Sequence, residues 1–523
     1  MPADHTVPAH KRLASRSGKR AVTEAYILIT TILASAMVFI DGNVVTIALP
    51  EIQRDFDASL AGQQWVVESY LLTLTALMLT GGALGDLKGR RRIFVIGVVI
   101  FAVASAACGL AQTIGQLIAA RALQGIGGAL LVPGSLAIIT SCFEESRRGK
   151  AIGTWSAFSA ITVAAAPLLG GWLIETVGWP WIFWINLPLA AVVITLSLTH
   201  VPESRDEDAC GIDYAGLCLG AIGLGGLIFA LIEAPRLGFQ SPFVWGFGLV
   251  GIVALIAFVR TETKVRDPMM PLDVFRNRAF SGANGLTLLL YGGMGGVLFF
   301  LPIHMISTLG YSELEAGMAI LPFIILISVF SRMTGGLVDR FGARLPLTVG
   351  PTIAGLGILA LAWPGIDGSY WTTFFPGITV LGAGMALTVA PLTTAVMNAA
   401  PRERAGVASG INNAASRLAF LLAVAVLGIV AAGRFEPAFG DIAAGLAVPD
   451  EIIAAMGDSL RQLAGTQPPE GLSEEMTQTV QSAIDQAALA SFRAIIVVCA
   501  ILCWIGAGII ALTFGPRGTN RAE

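Results

Sequence analysis

Charge is what this chain has least of. Asp, Glu, Lys and Arg make up 13% of its 523 residues, against about 25% in soluble domains. Histidine numbers only four, and three of those are His5, His10 and His200. No nucleophile–base or metal-ligand constellation stands out, so an enzyme is a poor reading. The six cysteines lie in apolar segments or loops with no ligand partners around them; they read as small hydrophobes rather than redox or metal groups. No Gly-x-x-x-x-Gly-Lys-Ser/Thr occurs, because Gly149-Lys150 is followed by Ala151 and lacks the first glycine. ATP-driven work by this chain alone is therefore not expected. A cleavable leader is not expected either: the first apolar run, 26–49, is too long for one and has no clear cleavage site.

What is there is apolar sequence in membrane-length runs. Hydrophobic residues reach 55%, and runs of about 20 residues recur along the chain, as spans of a bilayer require. Fourteen are expected, near 26–49, 64–84, 93–112, 116–140, 150–173, 179–200, 212–234, 243–260, 280–304, 314–336, 345–363, 370–395, 405–432 and 491–514. Lys and Arg collect in alternate connections, such as Arg90, Arg91, Arg92, Arg147, Arg148 and Arg276. The other connections hold only Arg54, Arg236, Arg434 and Arg461. This asymmetry puts both termini in the cytoplasm.

A basic turn between the second and third spans organises the pattern. Gly82, Gly85, Asp86, Gly89, Arg90 and Arg91 recur in weaker form 339 − 86 = 253 residues later, as a turn containing Asp339, Gly342 and Arg344. The copies stand eight spans apart. A duplicated six-helix unit therefore has two extra helices between its halves, and such internal repetition is a transporter's way of building. The expected fold is an all-α polytopic membrane protein of six, two and six helices. Residues 1–25 form a basic cytoplasmic N-terminus, 26–200 the first bundle, 201–279 the inserted pair with a cytoplasmic linker, 280–514 the second bundle, and 515–523 a cytoplasmic tail. Within the second bundle, 433–490 carries nine acidic residues against Arg434 and Arg461. It reads as a solvated helical hairpin outside the membrane, patterned around 450–463 and 473–489.

These residues resemble the major facilitator superfamily, and within it the fourteen-span drug:proton antiporter branch of EmrB/QacA type. The resemblance rests on six stretches in order: 41–50 in the first span, the turn at 82–92, Arg121-Ala122-Leu123-Gln124-Gly125, Pro167-Leu168-Leu169-Gly170-Gly171, 179–188, and 405–410 followed by Asn412 and Arg417. It implies a major facilitator fold and proton-coupled export by alternating access. It gives the 82–92 turn the role of locking the inward gate, and Pro167, Gly170 and Gly171 the role of an antiporter helix. Two departures stand out. Ala166 replaces the usual Gly before Pro167, where its methyl group would widen a close helix contact. Pro302 is followed by Ile303, His304, Met305 and Ile306 instead of the usual Tyr and Gln.

Charges inside spans are costly and become functional candidates by default. Asp41 lies about eight residues, or ~12 Å, from the outer end of its span. Glu68 and Arg121 lie about five residues, or ~7–8 Å, in from the same side. Two acids and a base at similar depth in one bundle form a candidate proton-coupling and substrate cluster. An acid set between burial, which favours its neutral form, and a cation, which favours its charged form, can titrate near neutral pH. Asp41 otherwise serves as a helix-kink hydrogen bond, Glu68 as an interfacial group, and Arg121 as a donor to backbone carbonyls. Glu233 is expected at the interface. Lower in rank are His304, Asn412 and Arg417, the last about 12 residues, or ~18 Å, into its span, where coupling and bonding to Asn412 or Asn413 are open alternatives.

The expected function is proton-coupled export of amphipathic, cationic small molecules from the inner membrane. A dedicated exporter of one metabolite and a non-transporting receptor are the alternatives. The expected partners are a small-molecule substrate and the bilayer, with a periplasmic adaptor as a further candidate. No nucleic acid and no cofactor are expected, the proton gradient supplying the energy.

Overall fold

Apolar runs in a medium without water must close their backbone hydrogen bonds within themselves, and helices are the result. The structure, a computed structural model, describes residues 9–205, 213–238, 240–265, 272–334, 338, 341–365, 369–399, 405–457, 460, 466–469 and 471–515. Their elements are α1 (Ala9–Phe56), α2 (Leu60–Lys88), α3 (Arg90–Gly109), α4 (Ile114–Cys142), α5 (Glu145–Val177), α6 (Trp181–Trp184) and α7 (Asn186–His200). Then come α8 (Tyr214–Leu237), α9 (Pro242–Glu262), α10 (Arg278–Ser307), α11 (Glu313–Ala319) and α12 (Leu321–Thr334). The chain continues with α13 (Arg344–Ala360), α14 (Tyr370–Ala399), α15 (Ala405–Gly445), α16 (Asp450–Ala455) and α17 (Glu474–Thr513).

Eleven of the described helices are long and apolar enough to cross a membrane. A twelfth follows if Leu60–Met78 and Thr80–Lys88, bent by 48°, are one span. The bend sits beside Gly81 and Gly82, in keeping with kinks at small residues. At Gly81 an added Cβ would collide with the Ala129 carbonyl of α4, so the glycine is what lets the two helices touch. Two shorter apolar stretches are Ala165–Val177 and Arg344–Ala360. Starts are capped from the sequence: Ser59 accepts from Gly62 N at 3.3 Å, and Ser312 with Glu315 closes a capping box at α11.

Helices α1–α7 pack together, α2 and α3 on α4 and α1 on α5 and α7. Helices α10–α15 and α17 form a second group, in which α10 meets α15 and α17. α8 and α9 pack on each other, and α8 also touches α2 and α15. Only 17% of the α9 window is buried, against 72% for α10, so the pair lies on the outside with α8 inward. Contacts joining the two groups run along the end away from the Arg90–Arg92 turn. There α11 packs on α5, α15 packs on α2, and Arg54 pairs with Glu313 at 3.4 Å.

The expected solvated hairpin at 433–490 takes another form. α15 continues to Gly445, and α17 already begins at Glu474. The periodic Phe435, Ala438, Phe439 and Ala443 are buried in one cluster with Met456, Leu460, Val480 and Ile484. Apolar faces on both extensions thus cover each other, and among the described residues there the short α16 stands as the one separate helix.

Candidate functional site

Asp41 lies in α1 and is 1% exposed. Across from it, Gly125 of α4 lets α2 approach so closely that a Cβ there would overlap the Tyr70 carbonyl. This draws α1, α2 and α4 around Arg121, also 1% exposed. One Arg121 nitrogen, Nη1, donates to Asp41 Oδ2 in a short charge-assisted contact and to Gln124 Oε1 at 2.7 Å. Its Nε donates to the Val66 carbonyl at 3.1 Å. The guanidinium lies 4.1 Å from the Tyr70 ring centroid, within cation–π range.

The other Asp41 oxygen is also held. Gln124 Nε2 donates to Asp41 Oδ1 at 2.8 Å, and Asn186 Nδ2 reaches it at 3.5 Å. Asn186 opens α7, just after the break at Ile185, and donates to Ser105 Oγ at 3.0 Å. Ser105 in turn donates to the Phe183 carbonyl at 2.8 Å. A buried ion pair persists only where further hydrogen bonds satisfy its remaining atoms, and these side chains supply them. The chemistry available is exchange of charge: neutralising Asp41, or placing a cation beside it, removes the partner that holds Arg121.

Glu68 stands apart from this network. It is fully buried, and neither carboxyl oxygen has a hydrogen-bond partner among the described residues. Asp41 and Arg121 are thus brought together, whereas the second acid is not. Equal depth fails to group them because α2 turns Glu68 away. One turn earlier, Gln64 Nε2 donates to the Val424 carbonyl of α15 at 2.7 Å, so that face of α2 looks at the second bundle.

Among the described residues, Arg417 on α15 has no hydrogen bond to Asn412 or Asn413. Asn412 instead accepts from Thr287 Oγ1 of α10 at 2.7 Å. His304 is buried in the second bundle and stacks on Phe492, with centroids 4.1 Å apart. Glu233, expected at the interface, is 7% exposed. It accepts from Trp65 Nε1 at 3.0 Å and from Arg236 Nε at 2.6 Å.

In the basic turn, Asp86 does not cap a neighbouring helix. It accepts from Arg90 Nε at 2.8 Å and pairs with Nη2 at 2.7 Å. The cap on α3 is Glu203, which the sequence reading missed: its carboxylate accepts from Arg91 N at 3.0 Å and Arg92 N at 3.2 Å. Arg91 Nη1 reaches the Val201 carbonyl at 3.2 Å. Gly89 has φ +108°, and a Cβ on it would lie 2.8 Å from Glu203 Oε1, so both backbone and space demand glycine. Gly82 faces Pro133, and Gly85 faces Arg90, at ordinary contact distances. In the second copy Asp339 lies outside the described residues. Gly342 turns with φ +75°, and Arg344 Nη2 donates to the Ala511 carbonyl at 3.0 Å.

On α5, a Cβ at Gly171 would lie 2.6 Å from Leu314 Cα of α11, and one at Gly170 would lie 2.5 Å from Val44 of α1. The Pro167 carbonyl meets Gly317 of α11 just as closely. Ala166 is itself fully buried. The closest approaches thus run through Gly170, Gly171 and Gly317, and the methyl at 166 does not hold the helices apart there.

A family model described as Major Facilitator Superfamily matches residues 31–424. The multidrug resistance protein Stp of Mycobacterium tuberculosis is 37% identical over 411 residues, 78% of this chain and 76% of that protein. The tetracenomycin C resistance and export protein of Streptomyces glaucescens is 34% identical over 416 residues, 79% of this chain and 77% of its own. A solved bacterial homolog of the human lysosomal transporter Spinster superposes with a TM-score of 0.64 at 18% identity, covering 95% of this chain and 99% of that one. That last likeness speaks for the fold alone. The chain belongs to the Major Facilitator Superfamily, as an all-helical, multi-pass membrane transporter of small molecules and not an enzyme.

Proposed function

We propose that this carrier is a proton-driven exporter of amphipathic, cationic small molecules, working by alternating access in the inner membrane. The observation that carries the reading is the buried Asp41–Arg121 pair, in which Arg121 holds one carboxylate oxygen and Gln124 and Asn186 hold the other. A carboxylate so placed attracts a cation while charged and releases it once protonated. Protonation also frees Arg121, whose remaining bonds to Gln124 and Val66 let it stay buried while its charge seeks a new partner. Relatives named for multidrug resistance and for antibiotic export support the direction of transport.

The fourteen-span branch fits the helix inventory. Eleven long helices, the bent α2, and the shorter Ala165–Val177 and Arg344–Ala360 amount to fourteen. With the basic turn facing the cytoplasm, both termini lie inside and α8–α9 stand between two six-span bundles. The packing of α5 on α11 and of α2 on α15 then belongs to a state closed on the outside.

A narrower reading, export of one compound, is favoured by relatives named for tetracenomycin C and puromycin alone. Purified protein in liposomes with an imposed pH gradient tests both against a panel of unrelated cationic and neutral drugs. Proton-dependent movement of several panel members supports broad export, and of one member narrow export. Binding without flux would overturn both in favour of a receptor.

A further inference from the structure

A buried carboxyl, Glu68, lies on the face of α2 that meets α8 and α15. Glu68 is eight residues into α2, counted from Leu60, or about 12 Å along the helix. Its face of α2 meets α15 through the Gln64 bond to Val424. Ala61, Trp65 and Leu72, which share its face of α2 by helical spacing, join Ile228 and Ile232 of α8 and Leu421 and Ala425 of α15 in one apolar cluster. Three helices from three parts of the chain therefore close on one carboxyl group.

That group has no hydrogen-bond partner among the described residues. Both oxygens are buried and unbonded, in surroundings where an isolated charge is far more costly than a neutral acid. Among the described residues, no charged group of the packed helices hydrogen-bonds to it. On α8, Glu233 and Arg236 bind each other and Trp65. On α15, Arg417 stands four residues, about 6 Å, before Leu421, and Glu436 lines a cleft. On α2, Tyr70 faces Arg121 from the opposite side of the helix.

The cleft supplies a route. A cavity of about 160 Å³ opens between α2, α8 and α15, lined by Ser59, Gln64, Arg236, Ala432, Glu436 and Gly457. About 10–15 Å³ seats one water, so the space is ample for a short water file. Gln64 is among its lining residues and stands one turn, about 6 Å, from Glu68 along α2. The cleft lies at the end that the function above assigns to the outside.

We propose that Glu68 is a proton-accepting site of the outer seam, loaded from outside through the α2–α8–α15 cleft, and that the seam closes only over the protonated acid. α8 thereby acquires a task, as the wall that keeps lipid from a group that must be reached by protons alone. The inference rests on the exporter reading for its orientation but not for its test.

Infrared spectroscopy of the full chain in liposomes reads the site directly. Wild-type protein is expected to show a protonated-carboxyl C=O stretch that disappears in Glu68→Gln and persists in Asp41→Asn. In deuterated buffer the Glu68 band shifts, and Gly457→Trp, which fills the cleft, slows that shift roughly tenfold or more. A wild-type spectrum unchanged by Glu68→Gln would overturn the site, and a shift at the wild-type rate in Gly457→Trp would overturn the route. Should Glu68→Gln fail to fold, the Gly457→Trp comparison still decides, since it retains the acid. A Glu68 band that behaves as expected in a protein without proton-coupled flux keeps the site and removes the exporter. Flux without the band does the reverse.

Discussion

Asp41 and Glu68 are acids of the same bundle, 1% and 0% exposed, and the fold treats them in opposite ways. Asp41 has a cation and two amides on its two oxygens. Glu68 shares its face of α2 with an apolar cluster drawn from three helices and has no hydrogen bond among the described residues. Burial alone therefore does not decide what an intramembrane acid does; its partners do. In the proposed cycle the satisfied acid is a charge held ready to be exchanged, and the unsatisfied one a proton held by the cost of releasing it.

The contrast breaks first at Arg121. Arg121→Ala leaves the Asp41 carboxylate uncompensated in the interior and is expected to cost about 3–5 kcal/mol, seen as a large fall in thermal midpoint of the purified protein. A melt like the wild type's would mean that Asp41 is not held as a charge. Glu68→Leu tests the other arm with the opposite sign. Removing an unsatisfied buried polar group is expected to raise stability by about 1–3 kcal/mol, while the same substitution at Asp41 lowers it. Equal destabilisation by both would erase the difference between the two acids. Smallest is Arg54→Ala, which removes an exposed ion pair to Glu313 across the closed end. It is expected to change stability by less than about 1 kcal/mol; a larger loss by calorimetry would place the strength of the seam in that pair rather than in glycine packing.

Much of the architecture was legible because membrane-length apolar runs and basic turns are one-dimensional signals. Depth was legible too, since rise per residue places Asp41 and Arg121 at similar heights. Azimuth was not. Glu68 shares their height, but its neighbour Gln64 binds α15, and no count along the chain shows which way a helix faces in a bundle. Neutral partners were hidden for a related reason. Gln124 and Asn186 stood inside quoted motif stretches, yet an uncharged amide on an apolar run draws no notice until a carboxylate is found beside it. Glu203 was invisible, because it caps α3 from a loop more than a hundred residues away in sequence. The 433–490 segment misled through its acids. Its Phe435, Phe439 and Ile484 faces carry two membrane helices onward beyond the apolar runs.

The central claim is that the Asp41 charge couples protons to substrate. Its most direct measurement is substrate-induced proton movement in liposomes holding wild-type or Asp41→Asn protein, with insertion and melting point checked for both. The account predicts proton flux with the wild type and none with Asp41→Asn, at undiminished insertion. Equal proton flux from the two proteins would contradict it.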